Sequence, residues 1–160
     1  MLLIIYVIIK KIIDKKEKEI ISKEILYDLP EWFGLPESTE EYIKDSQDKP
    51  FLACYADNEV AGFIVLNATS KDTADIFVMG IKKKFHRMGI GTKLNTEFEN
   101  MAKNLGYSYS QVKTVKMGHY KEYDITNEFY IAMGYKELEC FPTLWDEWNP
   151  CQIYIKYLGE

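Results

Sequence analysis

Cysteine is scarce and odd in number, with only Cys54, Cys140 and Cys151 in 160 residues. Three scattered thiols make no disulfide framework, and without a CxxC pair or a Cys/His cluster the usual zinc spacings are excluded. A reducing, cytoplasmic setting and no metal follow as expectations. No apolar run reaches the ~20 residues of a membrane helix. The run at the start, Met1 to Ile9, is followed by Lys10 and Lys11 and by no small-residue cleavage site. It reads as a buried first strand rather than a leader or an anchor, because isoleucine and valine dominate it. A surplus of base is also missing: 25 acids stand against 20 bases, for a formal charge of −5. Such a chain is a poor generic binder of nucleic acid, which needs a basic face. The phosphate-loop pattern GxxxxGK[ST] and the dinucleotide pattern GxGxxG are absent too. No repeat or low-complexity linker appears, so the length fits one domain over residues 1–160.

What is present is an ordinary globular balance, 47% apolar and 28% charged. Hydrophobic patterning gives a strand at Leu2 to Ile9, then a helix capped by Asp14 and running to Tyr27 with Ile20, Ile21, Ile25 and Leu26 on one face. Pro36 opens a short second helix through Ile43. Phe51 to Ala56, an Asp57-Asn58 turn, Val60 to Leu66 and Ala74 to Ile81 form a β block. A helix from Gly89 to Leu105 carries an apolar stripe of Leu94, Phe98, Met101 and Leu105 and stops at Gly106. A strand at Gln111 to Met117, a helix capped by Asp124 and ending at Gly134, and strands at Tyr135 to Phe141 and Gln152 to Leu158 complete the order. That order is β-α-α-β-β-β-α-β-α-β-β, an α+β layer fold with a mixed sheet.

The most informative stretch is Ala74 to Leu94: a strand, a basic loop, two glycines and an amphipathic helix. From Ile76 to Thr96 there are five bases (Lys82, Lys83, Lys84, Arg87, Lys93) and no acids, so the remaining 15 bases and 25 acids leave the rest at −10. Glycines let the backbone approach an anion, and a new helix adds the positive end of its dipole. The combination suits a pyrophosphate, although a bare GxG at Gly89 to Gly91 also fits a helix start that merely needs flexible residues. Lys82 to Lys84 read either as a solvated loop or as a clamp for a phosphate.

His86-Arg87-Met88-Gly89-Ile90-Gly91 resembles the Q/R-x-x-G-x-G/A motif that follows a central strand in the GNAT superfamily of acetyl-CoA-dependent N-acetyltransferases. His86 departs from the usual Gln or Arg. Phe129-Tyr130-Ile131-Ala132-Met133-Gly134-Tyr135 resembles the family's FYxxxGF helix, and the order of elements agrees along nearly the whole chain. Leu29 to Gly34 and Trp145 to Cys151 are similar to segments of a bacterial subgroup. The resemblance implies a GNAT-like, mostly antiparallel central sheet flanked by helices. It implies acetyl-CoA as co-substrate, a pyrophosphate cradle at Arg87, Met88, Gly89, Ile90, Gly91 and Thr92, and pairing of the Met79 and Ile81 strand edge with the pantetheine amides. It further implies Tyr130 as general acid toward the departing thiolate and Asp75 as general base.

Direct attack by a primary amine needs loss of the amine proton, donors for an oxyanion and a proton for the thiolate, and it needs no catalytic cysteine. A phenol near its ordinary value of about 10 suits a thiol near 8.5. Phe129 and Met133 then fill the core while Tyr130 turns aside. Asp75 alternatively reads as a solvent-facing strand-end carboxylate. His86 and His119 lack partners for a metal site or a triad. Glu31, Trp32 and Phe33, with Glu37, Glu40, Glu41, Asp45 and Asp48, read as an acidic, aromatic-edged site for a cationic small-molecule or peptide amine, or as a solvated acidic helix. Trp145 to Trp148 line the same cleft or a homodimer contact. No nucleic-acid or membrane partner is expected. A non-catalytic acyl-CoA sensor or interaction module of the same fold stays open.

Overall fold

The computed structural model describes residues 5–159. In chain order the elements are β1 (Val7–Ile12), α1 (Lys15–Leu26), α2 (Pro36–Ser46), β2 (Phe51–Ala56), β3 (Glu59–Ala68), β4 (Thr73–Ile81), a 3-10 turn at Lys83–Phe85, α3 (Ile90–Asn104), β5 (Tyr109–Val115), α4 (Lys121–Ala132), β6 (Lys136–Phe141) and β7 (Cys151–Tyr157). This is the order read from the sequence. The strands form one seven-stranded sheet in the order β1-β2-β3-β4-β5-β7-β6. β4 and β5 run parallel, while β1/β2, β2/β3, β5/β7 and β6/β7 are antiparallel. Two compact units divide the chain, one up to Asn67 with Val78–Asn100, the other Ala68–Phe77 with the chain from Met101.

In the first unit, β1 starts at Val7 and takes in Lys10 and Lys11, so the first strand lies later than expected. Positions 2–4 of that expectation fall outside the described residues. β1 ends the sheet order, and only Ile12 of the strand is buried. An edge strand tolerates the two lysines that a strand buried on both sides would not. Asp14 caps α1, its carboxylate accepting the Glu17 N–H at 2.9 Å. Ile21, Ile25 and Leu26 turn inward, but Ile20 is exposed. One residue is a 100° step on a helix, which carries Ile20 off the face shared by Ile21 and Ile25. The β2–β3 hairpin turns through Asp57 (φ 48°) and Asn58 (φ 69°). Two left-handed residues are what a tight two-residue hairpin turn requires. Phe51 stacks on Phe63 with centroids 5.2 Å apart, and Ile25, Leu94 and Phe98 are fully buried in the same unit.

In the second unit, β4 pairs with β5 from Thr73↔Tyr109 to Ile76↔Val112, and β4 runs on to Ile81 beyond the last of these pairs. α4 begins at Lys121 with Tyr120 at its N-cap, so Asp124 is not the cap. Asp124 sits within the first turn and reaches back to accept the Gly118 N–H at 2.7 Å. The position keeps the charge at the favourable end of the helix dipole. Asn127 ties α4 down: its amide donates to the carbonyls of Val115 (2.8 Å) and Tyr123 (2.6 Å) and accepts the Tyr154 hydroxyl (2.6 Å). The stripe of α3 is also shifted. Leu94, Phe98 and Ala102 are buried, whereas Leu105 lies beyond the helix end and is 52% exposed. Among the described residues no helix is long and apolar enough to cross a membrane.

Candidate active site

β4 delivers the chain into the basic loop. The Lys82 N–H donates to the Ala61 carbonyl at 2.9 Å, and the 3-10 turn closes with the His86 N–H on the Lys83 carbonyl at 3.1 Å. The backbone then becomes left-handed at Arg87 (φ 63°) and Gly89 (φ 76°) before α3 starts at Ile90. Nothing lies within 4 Å of where a Gly89 Cβ would stand, so the glycine answers to its backbone angle and not to crowding. The Lys93 N–H closes the first turn on the Gly89 carbonyl at 3.2 Å. The N–H groups of Ile90, Gly91 and Thr92 precede that bond and have no acceptor within the helix. Arg87, Met88 and Thr92 are exposed, while the Ile90 side chain is buried and can offer only its backbone. Met79 and Ile81 are half-buried on β4.

The basic surplus of this loop is mostly neutralised in space. Lys82 is 8% exposed and pairs with Glu24 (3.2 Å) and Glu59 (3.5 Å). Lys84 pairs with Glu59 at 2.6 Å and Lys83 with Glu31 at 2.9 Å. Acids distant in sequence supply the counter-charges, so a sum over Ile76–Thr96 misstates the local field. Arg87 and Lys93 form no ion pair with any described residue. The charge open to an anion is therefore theirs, with the backbone amides at the start of α3. His86 answers for its unusual position by turning back on its own strand, with Nε2 2.7 Å from the Ile81 carbonyl.

Two of the expected acceptor residues, Glu31 and Trp32, lie against this loop. Glu31 is held by Lys83, whose ammonium keeps that carboxyl below the usual carboxylate range. Trp32 meets His86 edge-on at 5.8 Å, and Phe33 meets Tyr42 edge-on at 6.0 Å. Glu31 is thus already paired and is not a spare charge for a cationic amine. Glu37, Glu40 and Glu41 are exposed on α2, where Glu40 accepts the Tyr27 hydroxyl. In the second unit, Trp145 and Trp148 are 43% and 68% exposed on a turn that Asp146 organises by accepting the Trp148 and Asn149 N–H groups, both at 2.8 Å.

Tyr130 and Asp75 also belong to the second unit. Tyr130 is 5% exposed and packs edge-on to Phe129 (5.1 Å) and Tyr135 (5.6 Å). Phe129 and Met133 are only half-buried, so the expected division of the helix is reversed and the tyrosine is the deeper residue. Burial, with the Asp75 charge adding to it, holds the phenol well above its ordinary value, so the match to a thiol near 8.5 does not apply. Asp75 is 4% exposed, which removes the solvent-facing reading. Burial raises its carboxyl, opposed by Lys113 at 3.5 Å and by the Gln111 amide donating at 3.1 Å. Gln111 and Lys113 were not singled out from the sequence. The signal was their two-residue spacing on one face of β5, which means something only once Asp75 is known to sit opposite Gln111. Burial pushes the Cys151 thiol up to about 11, which makes it a poor nucleophile. Among the described residues no group of three or more His, Cys, Asp or Glu side chains is placed to hold a metal.

The fold is shared with solved acetyltransferases. A GNAT-family acetyltransferase from Desulfovibrio desulfuricans superimposes with a TM-score of 0.82 at 14% identity, covering 96% of this chain and 100% of that one. An aminoglycoside 6'-N-acetyltransferase complexed with coenzyme A gives 0.76 at 17% identity, covering 96% and 98%. Ard1 from Thermoplasma volcanium gives 0.74 at 18% identity, covering 96% and 99%. No curated protein is significantly similar in sequence. Likeness at these identities establishes the fold; membership rests on the acetyltransferase (GNAT) family model, which matches residues 21–135 and takes in the loop, α3 and Tyr130. The chain belongs to the acetyltransferase (GNAT) family.

Proposed function

We propose that this chain is one N-acetyltransferase domain that moves an acetyl group from acetyl-CoA to a primary amine by direct attack, in the cytoplasm. The observation that carries the reading is the left-handed Arg87/Gly89 turn into α3, set inside the family match. The amides of Ile90, Gly91 and Thr92 and the charges of Arg87 and Lys93, which pair with no described residue, fit a pyrophosphate. Similar structures were solved with coenzyme A or acetyl-CoA bound, which supports the same co-substrate here. A small-molecule amine is the favoured acceptor class, since two of the similar structures are aminoglycoside 6'-N-acetyltransferases. Tyr130, kept protonated by its surroundings, serves as general acid to the departing thiolate. Asp75 takes the amine proton through water. Met79 and Ile81 hold the pantetheine arm. Thermal unfolding with and without CoA tests the reading. At 100 times its dissociation constant a ligand adds about 2.7 kcal/mol, or roughly 5–10 °C for a chain of this size. No shift at millimolar CoA would overturn it.

Asp75 gives a second test, because function and stability pull in opposite directions there. Its carboxyl is raised by burial, so the folded state favours the protonated form. Stability from this group is full below the ordinary carboxyl value of about 4 and is lost as pH rises through the folded value. Asp75→Asn is therefore expected to raise Tm at pH 7 while lowering turnover. The gain shrinks with acid and is gone below about pH 4. An Asn variant that is less stable at pH 7 and fully active would remove Asp75 from the mechanism.

A further inference from the structure

We propose that Lys113 selects the acceptor, and that the acceptor is a zwitterion: a primary amine carrying its own carboxylate, as a free amino acid does. The inference rests on the reading of Asp75 as the base that takes the amine proton, and it names the substrate class for that base.

Three polar side chains share one face of the sheet in the second unit. Asp75 of β4 stands opposite Gln111 of β5, and Lys113 follows two residues on, which returns it to the same side. Ile153 is opposite Lys113 and Cys151 is opposite Val115, so both belong to this face, and both are buried. The floor is therefore apolar, with one negative and one positive group set in it. The Gln111 amide donates to Asp75 Oδ1 at 3.1 Å, and the Lys113 ammonium lies 3.5 Å from the same oxygen. No described residue donates to Oδ2. Among the described residues Lys113 has no ion pair except Asp75, and its side chain is 32% exposed against 5% for the carboxylate. An ammonium has three donors, so two remain for a ligand. The titratable neighbours that feel this pair are uncharged. Burial pushes the Cys151 thiol up to about 11 and keeps the Tyr130 phenol protonated.

The proton transfer itself sets the demand. When an ammonium gives a proton through water to Asp75, the carboxylate becomes neutral and Lys113 loses its counter-charge. A second cation on the acceptor, as in a polyamine or an aminoglycoside, is then repelled by Lys113. A carboxylate on the acceptor restores the counter-charge at that step and takes up the spare donors. The freed amine attacks the acetyl carbon, and the C–N bond forms as the C–S bond breaks. The second ammonium proton replaces the one that Tyr130 gives to sulfur, and Asp75 releases the first to solvent.

The test measures kcat/KM with acetyl-CoA for free amino acids whose amine is α, β or γ to the carboxylate, each against its own carboxamide, and for an aminoglycoside. The parent is expected to prefer the best free acid over its amide by about 10- to 100-fold, the worth of a hydrogen bond to a charged group. Lys113→Met brings that ratio near one, Lys113→Glu inverts it, and Lys113→Arg keeps it. A lysine with only a structural role would lower both rates together and leave the ratio unchanged. A parent that prefers the amide or the aminoglycoside, that acetylates no free acid, or whose preference survives in Lys113→Met overturns the assignment. Asp75→Asn tells the two readings apart. If it slows turnover while the ratio does not follow Lys113, only the selection is wrong. If it turns over at the parent's rate, the base reading fails and takes the selection with it.

Discussion

Tyr130→Phe is expected to lower kcat by about two orders of magnitude while leaving CoA affinity and the fold intact, because loss of a positioned general acid typically costs 10²–10⁴-fold. The ring contacts to Phe129 and Tyr135 are available to phenylalanine, so no cavity opens. Only the hydroxyl is removed. The environment of that hydroxyl decides its chemistry. Burial and the nearby Asp75 charge hold the phenol above its ordinary value. It is therefore a weak acid that stays protonated throughout the working range, and it contributes no alkaline limb of its own to the rate profile. The same shift has a stability signature of definite sign. A raised folded value means that the unfolded chain ionises first, so stability from Tyr130 is full below about pH 10 and is lost above it. Tyr130→Phe should resist alkaline unfolding better than the parent. Steady-state kinetics with acetyl-CoA and an amine panel, paired with alkaline denaturation, separates the two roles. Unchanged kcat alongside improved alkaline stability would make Tyr130 a core residue and no acid.

The order of elements was legible because each carries its own period or punctuation. β2 lies where the apolar run Phe51 to Ala56 placed it, Asp14 caps α1, and Pro36 opens α2. Turn chemistry marked the hairpin at Asp57-Asn58 and the stops at Gly106 and Gly134 for the same reason. Local rules failed where a residue has more than one use. Asp124 looks like a cap and is a first-turn acceptor for Gly118, since an acidic side chain near a helix start can satisfy either geometry. The apolar run at the start pointed to a buried strand, but nothing in a run of isoleucines says whether the strand will be central or at an edge.

The charge reading shows the limit more sharply. The sequence places Lys82, Lys83 and Lys84 in a window free of acids, and that window suggested a clamp for phosphate. Glu24, Glu31 and Glu59 come from three other places in the chain and pair with all three lysines. Coulomb attraction depends on distance in space, and no window along the chain can hold that information. Gln111, Lys113 and Asn127 were hidden for a related reason. A polar residue on a strand or in a helix is ordinary until its partner is known, and each of these partners is set by register or packing. Glycine spacing was legible at Gly89, where the demand is on the backbone itself.

Gly62 is a glycine of the other kind, and Gly62→Ala is expected to be the most destabilising single methyl addition in the first unit. A Cβ there would stand 2.9 Å from the Gly80 carbonyl oxygen, 3.0 Å from Ile81 Cγ1 and 3.1 Å from Leu94 Cδ1. The carbonyl is backbone and cannot yield without moving its strand. Leu94 is fully buried near the start of α3, so relief on that side pushes the helix outward. Overpacking of this sort costs about 1–3 kcal/mol, and a clash with backbone belongs at the upper end. For a chain of this size that is a fall in Tm of roughly 5–10 °C. CoA binding should weaken as well, because Leu94 lies one turn beyond the Gly89–Thr92 amides that would hold the pyrophosphate. Gly80→Ala supplies the contrast. Its nearest neighbours are all side-chain atoms, Ile25 Cγ2 at 3.0 Å, Leu29 Cδ1 at 3.2 Å and Phe63 Cε1 at 3.4 Å, so relief needs buried side chains to repack but no strand to move. Gly89→Ala meets nothing within 4 Å and carries only the cost of a left-handed alanine, about 1–2 kcal/mol. The order of damage to Tm is therefore Gly62 first, with Gly80 and Gly89 behind it. Differential scanning calorimetry of the three variants checks the ranking, and a milder effect at Gly62 than at Gly80 would show that α3 is free to shift on the sheet.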